Sequence, residues 1–153
     1  MPKGKIDVVV ISVSSPLQIG IYEEGRLAES IINEGKSSDL LPVVFRDILH
    51  RYSIKRIFYA KGPGSFMAIK IAYVFLKTLC ITKKIRLYAS DAFVFNGNAP
   101  IKSVGKSYFV KTKSGIEIKK MEEVLPMEFH LPHTLDTTLF NEDVKPMYIA
   151  PAV

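Results

Sequence analysis

The chain has 153 residues, 48% of them hydrophobic and 24% charged, with a formal net charge of +6. That composition excludes a disordered chain and supports one domain, or one full lobe followed by a short second. A lone cysteine, Cys80, excludes a disulfide framework within the chain, and Lys70 and Lys77 interrupt the longest apolar run, so no stretch reads as a membrane span.

The N-terminus, MPKGKIDVVVISVSSP, has no small-residue cleavage site after its short apolar segment, and the chain reads as cytoplasmic. From Ile6, IDVVVISVSS is β-branched and continuous, the pattern of a fully buried strand. A turn at Ser14–Pro16 leads into LQIGIYEE, which alternates, with Ile19 and Ile21 on one side and Gln18, Gly20 and Tyr22 on the other. After the turn EEGR, the segment RLAESIINE completes a three-stranded antiparallel meander.

The period then changes. SSDLLPVVFRDILHRYS places Leu41, Val44, Phe45, Ile48 and Tyr52 at helical spacing, with Ser37 or Ser38 as cap and Pro42 tolerated near the start. IKRIFYAKG predicts a short strand ended by Gly62-Pro63-Gly64. A helix follows from Ser65 to about Ile81, then a strand, IRLYAS. The order βββαβαβ implies right-handed crossovers and a mixed sheet, the ribonuclease H-like arrangement on which actin-like lobes are built. Residues 1–95 form that lobe. Residues 96–153 are a truncated second lobe, with a turn at NGNAP, a hairpin about Ser114-Gly115 and a closing short strand at KPMYIAP.

The second helix is apolar on nearly every side. At 100° per residue Ala68, Ala72, Phe75, Leu76 and Leu79 gather on the face expected to meet the sheet. The opposite face carries Lys70 and Lys77 but also Phe66, Tyr73, Val74 and Ile81, where an ordinary surface helix would be polar. A partner protein over that face is the expectation, with Phe66, Lys70, Tyr73, Val74 and Lys77 as its contacts.

Catalytic and metal chemistry find little support. Gly62–Ser65 lacks the spacing of a nucleotide P-loop, and Pro63 removes an amide donor, so a structural turn is preferred. His130 and His133 flank Pro132 without a nearby cysteine and read as exposed loop residues; His50 falls near a helix end. Ser12, Ser14 and Ser15 have no glycine-flanked elbow, and Asp7 and Asp91 read as isolated carboxylates. No cofactor or metal is expected. The excess charge lies in residues 1–100, with 14 Lys/Arg against 8 Asp/Glu, while residues 101–153 hold 7 of each. No arginine-rich run marks an autonomous RNA-binding surface.

At KGPGSFMAIKIAYVFLKTL the sequence resembles the TsaB (YeaZ) family, whose motif Gly-Pro-Gly-Ser-Phe-Thr-Gly-Leu-Arg-Ile-Gly opens the second helix of an actin-like lobe. Gly62, Pro63, Gly64, Ser65 and Phe66 match it residue for residue. Met67, Ala68, Ile69, Lys70 and Ala72 stand where the family has Thr, Gly, Leu, Arg and Gly, and VKPMYIAPAV is similar to the family's closing Arg-Pro-x-Tyr strand. The resemblance implies a non-catalytic scaffold subunit of the complex that forms threonylcarbamoyladenosine beside the anticodon of tRNA. It implies pairing with a TsaD-like ATP-binding catalytic subunit through the first-lobe helices, a TsaE-like ATPase joining the pair, tRNA contact only through the complex, and a homodimer of the isolated chain. Actin-like nucleotide binders place an Asp in the first phosphate loop, whereas this chain reads ISVSSP, with Ser12 and Val13 there. The competing readings are a small nucleotide-binding phosphotransfer enzyme and a stand-alone RNA-binding protein.

Overall fold

In the computed structural model, which describes residues 3–122 and 128–149, the order βββαβαβ is present. β1 (Lys5–Ile11), β2 (Leu17–Glu23) and β3 (Arg26–Asn33) pair antiparallel, and β4 (Ser53–Ala60) and β5 (Arg86–Ser90) extend the sheet in parallel, giving the order β3-β2-β1-β4-β5. The fold is α/β with a mixed sheet, consistent with an actin-like, ribonuclease H-like lobe.

The two crossovers supply α1 (Ser37–Arg51) and α2 (Phe66–Lys83), which cover one face of the sheet. Val8, Val10, Ile19, Ile21 and Ile57 pack there against Leu41, Phe45, Ile48, Ala72 and Leu76. α1 has Lys36 at its N-cap with no side-chain cap; Ser37 is already helical. Instead Ser37 Oγ bonds Ser12 Oγ at 2.8 Å, tying the end of β1 to the start of α1. Ser65 caps α2 as expected, its Oγ accepting from the Ala68 amide.

The other sheet face is covered too, by elements from the last third of the chain. β6 (Ile101–Lys102), β7 (Ser107–Thr112) and β8 (Gly115–Lys120) form a second antiparallel sheet that includes the expected hairpin. Phe109 and Ile101 join Val9, Ile11, Phe58, Phe93 and Phe95 in a second core. Residues 128–149 then run as a strap across that face. The amide of Leu27 donates to the carbonyl of His133 at one edge of the sheet, and Ala89 and Asn141 bridge at the other. Sheet side chains hold the strap by its carbonyls: on this face Gln18 Nε2 donates to Phe129 at 2.9 Å and Tyr22 Oη to Pro132 at 2.6 Å, and further on, where the chain has reached the helix-covered core, Tyr59 Oη donates to Val144. These bonds satisfy polar tips inside a covered face, where an unpaired hydroxyl or amide would cost ~1–3 kcal/mol.

Several expectations are corrected. Lys145–Ile149 forms no strand; it packs as irregular chain, with the Met147 amide donating to the Lys61 carbonyl at 2.8 Å. The remainder of that predicted strand, residues 150–151, lies outside the described residues. Asp7 is not isolated. Strand register sets it beside Arg56, which clamps it through two bonds of 2.7 and 3.0 Å. Asp91 accepts from the Phe93 amide and pairs with Lys111 at 2.8 Å. The sheet-facing stripe of α2 is Ile69, Ala72, Leu76 and Cys80, so Ala68, Phe75 and Leu79 flank it, half-buried. A helix apolar all round does not reveal by periodicity which row faces inward, and the neighbours decide it.

Candidate docking face and the glycine turn

The glycine turn has a steric reason for each glycine. Gly62 has φ of +129°, and a side chain there would place Cβ 2.7 Å from the Met147 carbonyl oxygen. At Gly64 a Cβ would lie 2.5 Å from the Val13 carbonyl oxygen and 2.7 Å from the Val13 Cβ. The turn is thus wedged between the β1–β2 turn and the strap, and the Ser65 amide donates to Val13 at 2.8 Å. Pro63 lies buried between the two glycines. The neighbouring cleft, of about 610 Å³, runs from Ser14, Ser15 and Ser65 to Ile101, Phe109 and Phe129.

The two helices leave a groove of about 670 Å³ between them on the solvent side. Its walls are Met67, Lys70, Ile71, Val74, Phe75 and Thr78 of α2, the spacing of one helical stripe, facing Leu41 and Pro42 of α1. The rings of Phe45 and Phe75 meet beneath it with centroids 5.5 Å apart. Around the groove, large apolar side chains stand in solvent: Val43 is 64% exposed, Met67 67%, Val74 55% and Ile81 69%. Single exposed apolar residues are ordinary, but here Met67 and Val74 share one apolar groove, the kind of surface that marks an interaction site.

Among the residues expected at a partner contact, Lys70 and Val74 line the groove and Lys77 is exposed on the same helix. Phe66 sits at the mouth of the cleft with its ring edge-on to Tyr148, centroids 5.6 Å apart. Tyr73 is half-buried, stacked toward Tyr59 with centroids 6.5 Å apart. Sequence reasoning missed Val43, Pro42 and Met67. The signal was present in PVVF, where Val43 falls off the stripe of Leu41, Val44 and Phe45.

Chemistry is sparse in both places. Burial pushes the Cys80 thiol up to about 11, so it is an inert core residue and not a nucleophile. Ser12 is buried and hydrogen-bonded to Ser37, while His50, His130 and His133 are exposed. Among the described residues no group of His, Cys, Asp or Glu could hold a metal ion, and no helix is long and apolar enough to cross a membrane.

No protein-family model and no curated protein matches the chain. Among solved structures it is similar to YeaZ from Pseudomonas aeruginosa, with a TM-score of 0.60 and 16% identity, 80% of this chain covering 67% of that one. It is similar also to a structure described as an uncharacterized protein with similarity to peptidase YeaZ from Pseudomonas aeruginosa, with a TM-score of 0.55, 17% identity and the same coverage. The likeness is one of fold.

Proposed function

We propose that this chain is a non-catalytic scaffold subunit for tRNA modification in the cytoplasm, docking a TsaD-like catalytic subunit on the groove between α1 and α2. The observation that carries the reading is the exposed apolar lining of that groove, Met67 and Val74, with Val43 and Ile81 also exposed on the same two helices. A helix of the partner seated there would bury those side chains and place carboxylates near Lys70 and Lys77. The YeaZ-like fold supports the choice of partner, since the matching motif Gly62–Phe66 opens the helix that forms one wall.

The non-catalytic role has its own support. The β1–β2 turn offers Ser12 and Val13 where nucleotide-binding lobes carry a magnesium-holding Asp, and Ser12 is already engaged by Ser37. The glycine turn is committed to packing against Val13 and Met147. One similar structure is described as resembling a peptidase; that among the described residues no hydrogen bond joins a histidine to Ser12, Ser14 or Ser15 supports the non-catalytic reading instead. Threonylcarbamoyladenosine formation is the reaction such a scaffold would serve, with a TsaE-like ATPase as a further member.

The test is Val74→Glu. Water solvates the new carboxylate in the free chain, while a docked helix strips that water, so the fold should persist and partner affinity should fall by about 2 kcal/mol, some thirtyfold. Co-purification with the TsaD-like subunit reads the effect. Undiminished capture by a normally folded variant would move the contact elsewhere.

A further inference from the structure

We propose that the outer face of the β6–β8 sheet binds the phosphate backbone of a structured RNA. Residues 101–120 hold six lysines, all exposed, and a single carboxylate, Glu117. Counting residues 101–153 together hides this, because the balancing carboxylates lie beyond β8.

Strand register makes a site of these lysines. Phe109 and Ile118 turn into the second core, so Tyr108 and Lys119 point away from it. Lys102 pairs with Tyr108 and Tyr108 with Lys119, which aligns two cations and a ring in one row across all three strands. Adjacent strands lie about 4.8 Å apart, so the row is only about 10 Å wide. Lys102 Nζ stands 5.0 Å from the Tyr108 ring centroid and donates to the Gly105 carbonyl. Lys106, in the turn between β6 and β7, joins the same end of the sheet, its carbonyl accepting from the Met121 amide at 3.0 Å, whereas Lys120, two residues after Ile118, leaves from the core-facing side and stands apart from the row. Among the described carboxylates, Glu117 reaches Lys119 at 3.7 Å, Asp91 engages Lys111 toward the other end, and Glu128 lines the same cleft as Lys102 without an ion pair to it. Among the described residues Lys102, Lys106 and Lys120 form no ion pair.

The chemistry selects the ligand. Three clustered ammonium groups, Lys102, Lys106 and Lys119, with no arginine form a field of hydrated point charges, suited to phosphates and without the fork that reads carboxylates or base edges. Tyr108 is buried beneath Lys102, so no ring is offered to unstacked bases, and a paired backbone fits better than a single strand. The turn beside these lysines exposes one large apolar side chain, Val104, and the other hairpin tip, Thr112 to Gly115, none, which is too little apolar surface to enter a membrane. The choice of RNA rests on the function proposed above, but the contact belongs to this chain alone and its test needs no protein partner.

The experiment titrates the full chain with a fluorescent tRNA transcript at a series of salt concentrations. With three phosphate contacts at about 0.7–0.9 of a counterion each, affinity should fall about 18- to 42-fold between about 50 and 200 mM salt. Lys102→Gln/Lys119→Gln should reduce that ratio to about 2.6- to 3.5-fold and weaken binding at low salt, as should Lys102→Gln/Lys106→Gln if the first pair fails to fold. Lys55→Gln/Lys83→Gln, which removes equal charge elsewhere, should leave the slope unchanged. Equal losses in both sets would overturn the proposal, as would absent binding at low salt, or binding to phosphatidylserine vesicles that depends on these lysines when RNA binding does not. A chain that passes here and yet fails to capture a TsaD-like subunit overturns the docking reading alone.

Discussion

Replacing Gly64 by alanine adds one methyl group at the most constrained point of the family-like motif. Its Cβ would sit 2.5 Å from the Val13 carbonyl oxygen and 2.7 Å from the Val13 Cβ, both well inside contact distance and neither on a flexible side-chain end. Relief requires the β1–β2 turn to back away from the start of α2, which breaks the 2.8 Å bond from the Ser65 amide to Val13. Overpacking of this kind costs about 1–3 kcal/mol and the lost bond about 1 kcal/mol more, while the stiffer unfolded chain returns about 0.4–1 kcal/mol. The net is about 1–3 kcal/mol, or a fall in Tm of about 3–10 °C for a domain of this size. Gly4→Ala is the control, because nothing lies within 4 Å of a Cβ there. Thermal melting of both variants beside the parent checks the reasoning. If Gly64→Ala melts with Gly4→Ala, the turn is not wedged, and its glycines serve something other than packing.

Other outcomes follow from the same geometry. Leu76→Asp puts a carboxylate at a fully buried position and should abolish the melting transition, whereas Leu79→Asp, at the half-buried groove wall, should lower Tm yet leave a folded chain; equal behaviour would contradict the assigned inner face of α2. The buried Cys80 thiol, pushed up to about 11 from 9.0, stays protonated in the fold while the unfolded chain ionises, so stability should decline as pH rises from about 9 toward 11. Cys80→Ala should flatten the first part of that decline in pH-dependent denaturant melts, before Tyr22 and Tyr59, raised by burial, begin to contribute; an unchanged slope would refute the assignment. Calorimetric titration of the lone chain with ATP and magnesium should give no binding heat, and micromolar affinity would contradict the non-catalytic reading.

Local signals carried the first ninety residues. Continuous β-branched IDVVVI, the capping Ser65 and the glycine break each announced an element that forms where expected. The strap was illegible because its attachments are non-periodic: carbonyls of Phe129, Pro132 and Val144 received by side chains over a hundred or nearly a hundred residues earlier. Asp7 seemed isolated for a related reason, since Arg56 becomes its neighbour only through the parallel pairing of β1 and β4. The groove between the helices was half legible. Val74 and Lys70 stood out on an all-apolar helix, but the α1 wall of the groove, Leu41 and Pro42, emerges only when the two helices pack side by side.

The scaffold reading meets its most direct test in the modified nucleoside itself. Cells whose only copy of this chain is depleted should show threonylcarbamoyladenosine falling in bulk tRNA by mass spectrometry, restored by the parent chain and not by Val74→Glu. Nucleoside levels that stay unchanged on depletion would contradict it.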